Sequence, residues 1–106
     1  MAGRPKFTLF FSPEAVEHFS GIDRKHHRLL RRTIREQLVG TPTEETPNRK
    51  PLEQPAPFAA SWELRCGPDN RFRVFYDVDS GSRTVSVLAL GVKDRSRLLI
   101  GGEEYH

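Results

Sequence analysis

The chain has 106 residues, 36% hydrophobic and 29% charged, with a formal net charge of +3. That is the balance of one globular domain spanning 1–106, long enough for a single core and too short for two. A lone cysteine, Cys66, excludes an internal disulfide framework and, with only scattered histidines, leaves no ligand set for a structural zinc site. No apolar run is long enough to span a membrane or to form a signal-peptide core, so the cytoplasm is the expected location.

The first element is a strand, "KFTLFF" (6–11), cut off by "SPEA", where Ser12 can cap a helix and Pro13 suits its first position. That helix is short, because Gly21 interrupts it, and Asp23 offers a second cap before a longer helical run to about Val39. Leu30, Ile34 and Leu38 recur four apart in this run, with Leu29 widening the stripe, which predicts one buried face. Arg24, Lys25, Arg28, Arg31, Arg32 and Arg35 fill most other angles, and no acid lies between 24 and 35. A helix that is merely soluble tends to mix signs, so this one is either a solvated basic face or a contact for an anionic partner. Gly40 and Pro42 end it.

From 40 to 61 the chain holds five of its eight prolines, which excludes a regular helix and disfavours a central strand. The expectation is an extended connection packed at Leu52 and Phe58. Three strand signals follow, "WELRC" (62–66), "RFRVFYDVD" (71–79) and "TVSVLAL" (84–90), joined by "GPDN" and "SGS".

Placing Trp62, Leu64 and Cys66 on one core face with Phe72, Val74, Tyr76 and Val78 forces an antiparallel register of 66 with 72, 64 with 74 and 62 with 76. Arg65 then faces Arg73, and Glu63 faces Phe75, on the other side. A two-residue type II′ turn at Gly81 and Ser82 predicts Val78 opposite Val85, Val74 opposite Ala89, Phe75 opposite Leu88 and Arg73 opposite Leu90. The helices are expected on the first face. The second combines an apolar floor (Phe75, Leu88, Leu90) with Arg65, Arg71 and Arg73, and directly opposed like charges there cost stability unless an anion neutralises them. Glu63 or a tail acid is one candidate for that anion; a phosphate is the other.

No Gly-rich phosphate loop, HExxH or GxSxG occurs, so the chemistry available is that of Arg, Lys, Glu, Tyr and His. These residues suit metal-independent phosphodiester cleavage, with arginines stabilising charge on the phosphate, and equally suit binding of a polyanion without cleavage. Lys93, Arg95 and Arg97, just beyond the last strand signal, add cations near the end of the sheet where Arg71 is expected. Cys66 is read as a small core residue, and His26 and His27 as surface residues.

The order strand, two helices, proline-containing connection and three antiparallel strands, with "RKPL", "SWELR", "FRVFYDVD" and "VLALGVKDRSRLLIGGEE" at matching intervals, resembles the RelE/ParE toxin superfamily of bacterial toxin-antitoxin systems. The resemblance covers nearly the whole chain. It implies an α+β fold with two N-terminal helices packed on one face of a small, mainly antiparallel four-stranded sheet (β-α-α-β-β-β). It further implies a toxin of a type II system, neutralised by a cognate antitoxin, that enters the ribosome and cuts mRNA without metal or other cofactor. The alternative within the superfamily is a ParE-like DNA gyrase inhibitor or a catalytically inactive antitoxin-binding relative. Carried onto this chain, the phosphate-stabilising arginine falls on Arg73 and the basic residue after the last strand on Lys93, where an arginine is usual, with Arg95 two positions on. The paired lysines of RelE fall on Ser61 and Glu63, and its tail tyrosine on Leu99. Glu63, Tyr105 and His106 are the candidates for the proton-transfer parts that other nuclease members fill with a glutamate and a tail histidine or tyrosine. The resemblance and the charge pattern together give an RNA-contacting set of Arg65, Arg71, Lys50, Arg28, Arg31, Arg32 and Arg35.

Overall fold

The computed structural model describes residues 6–105. Strand β1 (Thr8–Phe11) runs into helix α1 (Pro13–Ser20), whose N-cap is Ser12, with Pro13 in the first turn. Asp23 caps a single 3₁₀ turn, accepting from the Lys25 amide at 3.1 Å, and α2 (His27–Leu38) follows. Leu30, Ile34 and Leu38 are the buried residues of α2, as the fourfold spacing requires. Burying each contributes about 1.5–3 kcal/mol.

Among the described residues the sheet has seven strands rather than four, in the order β2-β3-β4-β5-β6-β7, with β1 parallel to β5. Strands β3 (Trp62–Cys66), β4 (Phe72–Asp79) and β5 (Thr84–Asp94) are the three expected. Strand β2 (Arg49–Pro51) comes from the proline-containing connection and pairs with β3 at the sheet edge, where a proline removes no ladder hydrogen bond. Strands β6 (Arg97–Ile100) and β7 (Glu103–Glu104) come from the tail. Gly101 and Gly102 join them with φ of 63° and 82°, the positive values that a tight hairpin of this hand demands.

The β3–β4 register is the one that parity demands, with Trp62 opposite Tyr76, Leu64 opposite Val74, Cys66 opposite Phe72, Glu63 opposite Phe75 and Arg65 opposite Arg73. The β4–β5 register departs from expectation halfway along. Val78 faces Val85 and Tyr76 faces Val87, but Phe75 then faces Ala89, Val74 faces Leu90 and Arg73 faces Gly91. Leu88 is the extra residue of a β-bulge, which no hydrophobic pattern announced. The turn differs too. Residues 80–83 form a four-residue connection in which Gly81 is not among the positive-φ glycines and Arg83 carries φ 53° instead, so the type II′ turn is absent.

Helix α1 absorbs the polar groups that the bulge frees. The Ser12 hydroxyl donates to the Leu88 carbonyl at 3.0 Å while accepting from the Ala15 amide, and His18 Nδ1 accepts from the Leu90 amide at 3.3 Å. Leu90 and Val92 therefore join the core beneath the helices, together with Leu64, Cys66, Phe72, Val74, Tyr76, Val85 and Val87. A second, smaller cluster forms on the other face from Phe75, Ala89, Ile100 and Ala60, with Leu52, Leu88 and Leu98 packed on it. Leu52 packs as expected, whereas Phe58 is 45% exposed and meets His18 edge-on at 5.5 Å.

His26 and His27 are half-buried fasteners rather than surface residues. His26 lies edge-on to Phe72, and His27 Nε2 lies 2.7 Å from the Ile22 carbonyl. Cys66 is a core residue whose burial pushes its thiol up to about 11, with Arg73 acting the other way. At pH 8 its thiolate fraction should be about 100-fold below that of the unfolded chain, and burial adds to the protection. Disulfide-exchange labelling of native against urea-unfolded protein should show at least that ratio of rates; rapid native labelling would contradict it.

Candidate anion site on the open face of the sheet

Side chains alternate along a strand, so Glu63 and Arg65 on β3 and Arg73 and Phe75 on β4 share the face turned away from the helices. The pairing sets Arg65 directly across from Arg73, where two like charges repel. Glu63 lies between them. Its Oε1 accepts from Arg65 Nε at 3.1 Å and approaches Arg73 Nη1 at 3.9 Å, an ion pair too long for a hydrogen bond. The Arg73 Nε donates to the Asn70 carbonyl at 3.2 Å, which anchors the base of the guanidinium.

Burial makes this cluster unlike an ordinary surface pair. The side chains of Glu63 and Arg73 are 10% and 13% exposed, against 38% for Arg65. Beneath them Phe75 and Ala89 are fully buried. Burial, then Arg65, hold the Arg73 guanidinium below the usual arginine range, and Glu63 pulls the other way. Desolvated charge interacts more strongly than solvated charge, so an anion arriving here meets a concentrated field.

Two more predicted residues join the face. Lys50 is the β2 partner of Glu63 and is exposed. Lys93 lies within β5, not after it, because that strand runs to Asp94. Two residues beyond Gly91, it sits on the Arg73 side and is half-buried. Gly91 is itself forced, since a Cβ there would come within 2.9 Å of Leu98 Cδ1 and 3.2 Å of the Leu99 carbonyl. With Leu90 turned to the helix side by the bulge, the floor is Phe75, Leu88 and Ala89 instead of Phe75, Leu88 and Leu90.

The remaining candidates lie elsewhere. Arg71 precedes β4 in a helical conformation and lines a cleft of about 820 Å³ on the helix side, with Lys25, His26, Leu99 and Tyr105. Arg95 sits at the β5–β6 turn with φ 59°, and Arg97 pairs with Asp94 at 3.3 Å. Arg28, Arg31, Arg32 and Arg35 are exposed on α2, on the opposite side of the sheet from Arg73. Among the described residues, the acid that approaches them is Glu36, 3.9 Å from Arg32 in a pair that is about two-thirds exposed and so contributes little. His106 lies outside the described residues.

Sequence reasoning passed over Arg49. It is 4% exposed and faces the core side opposite Leu64. Its Nη1 donates to the carbonyls of Gln37 and Thr41, tying β2 to the C-terminus of α2, where the helix dipole favours a cation. It also passed over the tail hairpin, for which the Gly-Gly pair between "RLLI" and "EE" was the available signal.

No protein-family model matches the chain, and no curated protein matches it in sequence. Among solved structures, a chain of the toxin-antitoxin complex RelBE2 from Mycobacterium tuberculosis is similar with a TM-score of 0.65 at 19% identity, covering 83% of this chain and 99% of that one. A chain of the archaeal RelE-RelB complex from Pyrococcus horikoshii OT3 gives a TM-score of 0.52 at 16% identity, over 85% and 98%. The likeness is one of fold, α+β with two helices and a mainly antiparallel sheet.

Proposed function

We propose that this chain, which shares its fold with RelE-type toxin-antitoxin structures, is the toxin of such a pair and acts in the cytoplasm by cutting mRNA on the ribosome. The observation that carries the reading is the opposed Arg65–Arg73 pair, held above an apolar floor on the face that the helices leave open. In the proposed reaction a ribose 2′-hydroxyl, losing its proton to solvent, attacks the adjacent phosphate to give a 2′,3′-cyclic phosphate as the bond to the next 5′-oxygen breaks, and that oxygen takes a proton from solvent. Arg73 stabilises the charge that builds on the phosphate oxygens, and Lys93 adds a further cation on the same face. Glu63 already accepts from Arg65 and is poorly placed to take a proton, so the reading rests on charge stabilisation. The exposed arginines of α2 supply a separate surface for ribosomal RNA, with affinity that falls as salt rises. A cognate antitoxin binds the protein and holds it inactive; the structures that share its fold were solved as RelBE2 and RelE-RelB complexes.

A second reading, a ParE-like gyrase inhibitor or an inactive relative, is favoured by the partial neutralisation of the arginine pair by Glu63. Induction in a bacterial host separates the two. The first reading expects protein synthesis to stop within minutes with messages cut at discrete sites, before any change in DNA supercoiling. Supercoiling changes or DNA breaks that precede intact-message arrest would sink it.

A further inference from the structure

The open face carries its own anion. One carboxylate oxygen, Glu63 Oε1, serves both arginines, at 3.1 Å from Arg65 and 3.9 Å from Arg73. The two contacts are unequal in kind: the first is a hydrogen bond, the second a longer ion pair on the Nη edge. Glu63 cannot swing clear into solvent without exposing a residue that is now 7% accessible. Within the cluster itself, two arginines and one carboxylate leave a single net positive charge, with Lys50 and Lys93 flanking it on the same face. The same carboxylate would repel a phosphodiester across a poorly solvated gap.

We propose that Glu63 masks Arg73. It keeps the opposed arginines compatible with the fold in the empty protein and lowers the affinity of the site for a free phosphodiester. The long contact is the one that yields: an incoming phosphate takes the Nη edge of Arg73 while Glu63 stays on Arg65. RNA that offers only one phosphate contact is therefore bound weakly. Firm engagement needs the additional contacts of a docked complex, which confines activity to such complexes. The inference rests on the reading of this face as a phosphodiester site.

The test is equilibrium binding of a short single-stranded 2′-O-methyl oligoribonucleotide, which cannot be cut, at fixed low salt. Glu63→Gln should bind about tenfold more tightly than the parent chain. Glu63→Asp, which withdraws the carboxylate by one methylene, should fall between them. Glu14→Gln, an exposed site on α1, raises net charge equally and should change affinity less than twofold. The gain should vanish in the Glu63→Gln, Arg73→Ala double variant. Unchanged binding by Glu63→Gln would overturn the mask, and weaker binding would overturn it and make Glu63 a residue that positions the arginines for binding. A gain that survives removal of Arg73 would overturn it as well. If Glu63→Gln does not fold, Glu63→Asp decides by the same comparison. Should Arg73→Ala leave parent-level binding untouched, the phosphodiester site itself fails, and the mask with it; Arg73-dependent binding without a gain in Glu63→Gln sinks the mask alone.

Discussion

Arg73→Ala should lower ribosome-dependent message cleavage by about 10²–10³-fold, the usual cost of removing one preorganised group that stabilises transition-state charge. The expectation follows from where the charge sits. Arg73 is fixed at Nε by the Asn70 carbonyl, is 13% exposed, and lies over a dry floor, so little reorganisation is needed when a phosphate arrives. The fold should survive the change. Deleting Arg73 removes a like charge opposite Arg65 and leaves Glu63 with its 3.1 Å partner. Arg73→Lys keeps the charge without the planar fork and should recover only part of the rate. Primer extension on messages incubated with purified ribosomes reads the cleavage, induced growth arrest reads toxicity, and a thermal melt confirms folding. Full growth inhibition by a folded Arg73→Ala protein would defeat the nuclease reading.

Arg49→Ala should be the most damaging single change to stability outside the apolar core, at about 3 kcal/mol, from charge-assisted hydrogen bonds lost and part-buried carbonyls left without that donor. For a chain of this length that is a fall in Tm of roughly 10–20 °C. Arg49 holds the end of α2, at Gln37, and the loop at Thr41 to the edge strand β2. Losing it also removes the cation from the negative end of that helix. Arg49→Met retains most of the volume without donors, so its deficit measures the hydrogen bonds apart from the packing. Because Arg49 faces the core side of the sheet, cleavage per folded molecule should stay as in the parent. A Tm within about 2 °C of the parent would show that water replaces the guanidinium at no net cost.

The β3–β4 register was legible because seven apolar residues on two short strands admit only one alignment that keeps arginines out of the core. The helices were legible for a related reason: Ser12, Pro13 and Asp23 are local stop and start signals, and the Leu30, Ile34, Leu38 stripe reports one buried face. Those are properties of neighbours in sequence. The β4–β5 register was legible only up to Tyr76, since beyond it both Leu88 and Leu90 are apolar and either alignment satisfies the pattern. The four-strand expectation fell short at the ends, where β2, β6 and β7 are two to four residues long and extend the edges of the sheet.

The same division runs through the site. Sequence alone determined that Arg65 faces Arg73, that Glu63 shares their side, and that α2 is basic on all but one stripe, because these follow from the strand and helix repeats. Tertiary structure decided whether those charges meet anything. The bulge at Leu88, held by Ser12 and His18 from another element, sends Leu90 to the core and sets Gly91 opposite Arg73. The helical conformation of Arg71 takes it off the face, and the two-sided sheet keeps the α2 arginines away from Arg73. Most of all, the choice between an internal carboxylate and an outside phosphate as counter-charge came down to a side-chain distance. A repeat can say which residues share a face, but only packed coordinates say that one oxygen of Glu63 reaches Arg65 fully and Arg73 barely.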